Sequence, residues 1–188
     1  MRLFLIYLLC CSSLISFAQE GKLYFSMEDA KQNPKEVYKL DLKKSKLKAI
    51  PAEVFQFENL KYLSLKKNKL TSIPADIKNL KNLEVLILSK NKIEKLPPEI
   101  GELSKLEELW AGENEILDVP PELGKLSNLK KLDLWSNRIN TVPVELAELK
   151  NLKFFDLRVN PFNDPEIDAA REMMPWLKVE FSLSCNCF

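Results

Sequence analysis

A 23-residue period constrains this chain more than any other feature. LKYLSLKKNKLTSIPADIKNLKN from Leu60 aligns without a gap on LEVLILSKNKIEKLPPEIGELSK from Leu83. LEELWAGENEILDVPPELGKLSN from Leu106 and LKKLDLWSNRINTVPVELAELKN from Leu129 continue the series. An earlier copy starts at Val37, with Leu40, Leu42, Leu47, Ile50 and Pro51 in matching places. A last, incomplete copy starts at Leu152 and carries Phe155, Leu157, Asn160 and Phe162. Units this short cannot bury an apolar face alone, so copies in strict register stack on one another as a solenoid.

The residue pattern says how each copy folds. Taking Leu60 as position one, Leu63 and Leu65 are two apart and share one face of a short strand. Stacking the copies then makes a parallel sheet, in which Leu63, Leu86, Leu109 and Leu132 are successive neighbours. Asn68, Asn91, Asn114, Asn137 and Asn160 follow each strand, where the chain must turn. An amide there both donates to and accepts from buried backbone groups, so the five form a structural ladder. Ile73-Pro74, Leu96-Pro97, Val119-Pro120 and Val142-Pro143 end strand pairing and fix φ. Ile77, Leu80 and Leu83 then recur at a spacing of three, which suits a short helical or 3₁₀ turn on the outer side.

The pattern resembles the leucine-rich repeat family, L-x-x-L-x-L-x-x-N-x-L followed by x-x-[ILV]-P-x-x-[ILV]-x-x-L, in a form like that of secreted bacterial proteins. The resemblance spans residues 37–162. Two positions depart from it: Ser45 stands for the Asn of the first copy, and Ala111 for the second strand leucine of the fourth. It implies an α/β right-handed solenoid, or horseshoe, with an inner parallel sheet and short helical or irregular outer segments. It also implies a role in protein interaction, with no cofactor or metal.

Both solenoid ends need covering. Residues 19–36 form an N-terminal cap, with a short helix from Ser26 to Gln32 in which Ser26 is the N-cap and Asn33-Pro34 the stop. Residues 163–188 form the C-terminal cap. Asp164 is expected as the N-cap of a helix running to Pro175, followed by an alternating strand from Val179 to Cys187. Residues 1–18 read as a signal peptide: Arg2, an apolar run from Leu3 to Leu9, and Ser16-Phe17-Ala18 before the cleavage point. The run is too short for a membrane span. The expected location is secreted, periplasmic or at the cell surface. Lipoprotein processing at Cys10 or Cys11 is disfavoured because Leu9 or Cys10 stands where the bacterial lipobox has a small residue. The mature chain keeps Cys185 and Cys187; on one strand face they stand too far apart for an unstrained bridge, which leaves packed thiols, pairing after a bend, an intermolecular disulfide or a soft-metal site.

Composition removes several function classes. There is no His, hence no imidazole base and no Ser-His or Cys-His pair. Four glycines are too scattered for a phosphate-binding loop. Residues 37–105 carry 15 Lys against 8 Asp or Glu, and residues 106–188 carry 9 basic against 15 acidic residues. The mature chain is therefore neutral overall and polar along its length. Nucleic-acid binding calls for a basic balance that is missing. The two unlike halves would let copies of the chain pair antiparallel, weakly and with salt sensitivity.

Positions three, five and seven of each copy face away from the leucine core. There Tyr62, Val85, Ile87, Trp110, Trp135 and Phe154 gather in the middle of the sheet, with Asp133 and Asp156 beside them. A contiguous outward-facing apolar patch marks a binding site. These eight residues are the expected contacts to a protein or peptide partner. The alternative ligand is a carbohydrate or cell-wall polymer stacked on the tryptophans. Asp133 and Asp156 are also paired carboxylates that could do acid–base work, but solvated carboxylates on a strand face are far commoner, and no catalytic residue is assigned.

Overall fold

The computed structural model describes residues 21–181. Eight short strands form one parallel sheet in strict sequence order. They are β1 (Leu23–Tyr24), β2 (Lys39–Asp41), β3 (Tyr62–Ser64), β4 (Val85–Ile87), β5 (Glu108–Trp110), β6 (Lys131–Asp133), β7 (Phe154–Asp156) and β8 (Val179–Glu180). Two helices, α1 (Met27–Gln32) and α2 (Asp164–Met173), flank the repeats. The register is the 23-residue period itself: Leu40, Leu63, Leu86, Leu109, Leu132 and Phe155 pair in sequence. All six are fully buried.

Each strand continues into a turn whose next residue has a left-handed backbone. Lys44, Lys67, Lys90, Glu113, Ser136 and Val159 hold φ between 55° and 64°, and none is a glycine. The asparagine after this residue repays the distortion. Asn91 Oδ1 accepts the Leu70 amide at 3.1 Å, while its Nδ2 donates to Leu65 O at 3.0 Å and Leu88 O at 2.7 Å. Asn68, Asn114, Asn137 and Asn160 repeat these bonds one copy at a time. Ser45 is exposed where Asn68 is buried, and the first copy adds a second left-handed residue, Lys46.

The outer side consists of 3₁₀ turns, each entered through a proline: Ala52–Gln56, Ala75–Asn79, Pro98–Glu102, Pro121–Lys125 and Val144–Glu148. These turns pack closely. A Cβ on Gly101 would lie 2.3 Å from the Glu122 carbonyl oxygen, and one on Gly124 2.2 Å from that of Glu145. A second amide ladder runs along this edge. Asn59, Asn82, Asn128 and Asn151 each donate to the carbonyl 24 residues earlier, at 2.7–2.8 Å. Lys105 occupies the missing rung and donates to Asn82 Oδ1 at 2.7 Å.

At the front, Ser26 caps α1 by accepting the Asp29 amide, and β1 adds a strand not apparent from the sequence pattern. At the back, the cap of α2 is Asn163 rather than Asp164: Asn163 and Glu166 exchange side-chain-to-backbone bonds, a capping box that leaves Asp164 as the first helical residue. β8 then pairs with β7. The signal segment, Cys185 and Cys187 lie outside the described residues.

Candidate binding face

Strand alternation puts positions three and five on the open side of the sheet, and position seven follows where the chain turns outward. Tyr62, Val85, Ile87, Trp110, Trp135 and Phe154 are all half-buried there. Neighbours on the same face account for this at Trp110. Its ring lies 6.1 Å from that of Phe154, tilted by 34°, and the Lys131 ammonium is 5.8 Å from its centre. Its indole N–H donates to Glu108 Oε2 at 2.9 Å, and Lys131 Nζ holds Glu108 Oε1 at 2.9 Å. Partial burial alone would raise the Glu108 pKa, but these hydrogen bonds outweigh it and hold the carboxyl below its usual range.

The face is more closely built at its floor than alternation alone suggests. Ser64, Ser89 and Asp156 are buried, and so is Gly112. Between the tryptophans lies a pocket of about 350 Å³, lined by Lys66, Ile87, Ser89, Trp110, Gly112, Glu113, Asp133 and Trp135. Tyr62 stands apart on β3, where burial and the nearby Asp41 charge push its phenol pKa up.

The aspartates at position five serve the backbone. Asp41, Asp133 and Asp156 each accept, through Oδ1, the amide of the residue two further on, at 3.0, 2.9 and 3.0 Å. This Asx-type turn carries the chain out of the strand. Beyond that shared bond, Asp156 is gripped by the Arg158 guanidinium at 2.6–3.2 Å, which raises the Arg158 pKa. Asp133 has no such partner. Burial is the main reason its carboxyl pKa is raised; the Trp135 amide opposes the shift and the Asp156 charge adds to it.

A lysine cluster, which the sequence showed only as a charge balance, occupies one edge. Positions seven, eight and ten of the first copies carry Lys43, Lys44, Lys46, Lys66, Lys67, Lys69, Lys90 and Lys92. Lys67 sits between Lys90 and Lys44, whose like charges lower its pKa.

With this geometry, the chain belongs to the leucine-rich repeat family: the model of the leucine-rich repeat region matches residues 37–177. Among solved structures, it is similar to a leucine-rich repeat protein of Leptospira interrogans, at 32% identity and a TM-score of 0.71, covering 85% of this chain and 46% of that one. It is similar too to internalin C2 of Listeria monocytogenes, at 26% identity and a TM-score of 0.72, covering 84% and 66%. The PEPR1–AtPEP1 structure matches at 32% identity and a TM-score of 0.57, over 61% of this chain and 17% of that one. The chain thus spans between a sixth and two thirds of the length of these proteins. No curated protein matches it. No helix among the described residues is long and apolar enough to cross a membrane.

Proposed function

We propose that the chain is a secreted, non-catalytic binding module that holds a protein or peptide ligand across the open face of its sheet. The observation that carries this is the half-buried row Tyr62, Val85, Ile87, Trp110, Trp135 and Phe154 around the pocket between the tryptophans. Aromatic side chains set in such pockets are the usual anchors of interfaces. The family and the PEPR1–AtPEP1 likeness support a protein or peptide ligand. Asp156 has its carboxylate taken up by Arg158 and by a backbone amide, which argues against an acid–base role for the Asp133–Asp156 pair. The leader-like residues 1–18 support secretion.

The test is affinity capture with the full chain, followed by titration of the captured partner against Trp135→Ala. An anchor loses about 2 kcal/mol of affinity or more, with the melting temperature nearly unchanged. A large drop in melting temperature, matching the ~3–5 kcal/mol of stability that truncating a core aromatic costs, would make Trp135 structural. Glycan binding that depends on Trp110, with no protein captured, would point to sugar stacking instead.

A further inference from the structure

Copies five and six solve the same local problem in two ways. Each has an aspartate at position five that accepts the position-seven amide through Oδ1. In copy six, position seven is Arg158, whose Nε lies 3.0 and 3.2 Å from the two Asp156 oxygens and whose terminal nitrogen lies 2.6 Å from Oδ2. In copy five, position seven is Trp135. Asp133 Oδ2 therefore meets no hydrogen-bond donor and forms no ion pair among the described residues; Arg158 acts on it only at a distance, and the oxygen is open to solvent rather than sealed in. The other carboxylates around the pocket are provided for: Glu113 pairs with Lys90 at 2.8 Å, and Glu108 with Lys131 at 2.9 Å. Gly112 completes the arrangement. A Cβ there would come within 2.9 Å of Asp133 Oδ1 and 3.0 Å of Oδ2, so its absence is what lets the carboxylate lie in the pocket.

We propose that this pocket receives the guanidinium of an arginine side chain from the ligand, with Asp133 as counter-ion and the Trp110 and Trp135 indoles as walls. The proposal rests on the open-face reading above and specifies its ligand. The Asp156–Arg158 pair shows the geometry that an incoming arginine would reproduce one rung away. A planar guanidinium suits this site better than a lysine ammonium: its fork matches a carboxylate edge, and its face stacks on indole. Lys66 lines the pocket on the side of the earlier copies, and Lys43 lies one strand beyond it. The ligand segment running toward the first copy is therefore acidic or neutral, and its arginine is seated at the far end.

The experiment is to pan a random heptapeptide library on the full chain and to titrate the enriched peptides. The expected peptides contain arginine, and replacing it with citrulline, the neutral isostere, weakens binding to the wild-type chain at least tenfold. Asp133→Asn, which keeps the acceptor for the Trp135 amide, should lose a similar factor without a lower melting temperature. Trp135→Arg should do the same, because it installs the copy-six pair in copy five and fills the site from within. Enriched peptides that lack arginine, or bind equally well with citrulline, yet still require Trp110 and Trp135 would overturn the arginine site and leave the open-face reading standing. A library that yields no binder, or binders indifferent to both tryptophans, would overturn both.

Discussion

Removing a rung of the asparagine ladder should cost different amounts at positions that the repeat pattern makes equivalent. In Asn114→Ala, the side chain lost accepts the Ile93 amide at 3.1 Å and donates to Leu88 O, Ala111 O and Gly112 O. All three carbonyls keep another donor: Asn91 on Leu88 O, Asn137 on Ala111 O, and the Lys90 amide on Gly112 O. Only the Ile93 N–H is stranded, and one buried unpaired donor costs about 1–3 kcal/mol. Asn68→Ala strands the Leu47 amide in the same way, and the Leu42 carbonyl as well. Ser45 stands where an asparagine would have shared that carbonyl. An under-satisfied carbonyl is tolerated better than an N–H, so the excess is placed at a further ~1 kcal/mol. Urea midpoints read by far-UV circular dichroism and tryptophan fluorescence, at a common slope, give both values. A midpoint for Asn114→Ala equal to wild type, or a loss at Asn114 as large as that at Asn68, would refute the accounting.

Gly101→Ala should destabilise by about 1–3 kcal/mol or more, since the new methyl meets a backbone carbonyl that cannot rotate away; an unchanged thermal melt would show that the outer turns part freely. Asp133→Asn should be more stable than wild type at pH 7. The folded chain binds the Asp133 proton more tightly than the unfolded chain does, so the ionised carboxylate, partly buried and facing Asp156 and Glu113, with the Trp135 amide and Arg158 in partial compensation, weakens the fold at neutral pH. That penalty fades as pH falls through the raised pKa toward 3.8, so the gap between variant and wild type should close there; a gap independent of pH would sink the argument. Lys67→Gln should raise the melting temperature at low ionic strength and lose its advantage in molar salt, because it breaks a like-charge column of Lys44, Lys67 and Lys90. Equal shifts at both salt concentrations would mean the column is already screened.

Leucine spacing made the sheet and its register legible, because a period of two within a period of 23 leaves one way to bury Leu63, Leu86, Leu109 and Leu132 together. The first asparagine ladder was legible for the same reason. The second, Asn59 to Asn151, was written in the same register but is broken by Lys105, and exposed amides carry no burial signal. The left-handed residues were hidden, since Lys, Glu, Ser and Val at that position give none of the usual glycine signal. At the site, alternation placed Trp110, Asp133 and Trp135 on one face. It could not show that Asp133 turns back to its own backbone, or that Gly112 makes the room for it. Those facts depend on side-chain direction across neighbouring strands, which a one-dimensional pattern does not encode.

The ion pairs that join successive copies bear on how the chain finds its order as it folds. Repeats this alike risk stacking out of sequence, with one copy looped out and its neighbours joined over the gap. Lys61–Glu84, Lys90–Glu113, Lys130–Glu107, Lys131–Glu108 and Arg138–Glu115 each connect a copy to the next. Skipping the fourth copy would set Lys92 against Arg138 and Lys90 against Ser136. Each exposed pair adds little to the stability of the correct stack, yet the change of sign from lysine to glutamate and back acts as an address, telling copy three from copy five where the leucines cannot.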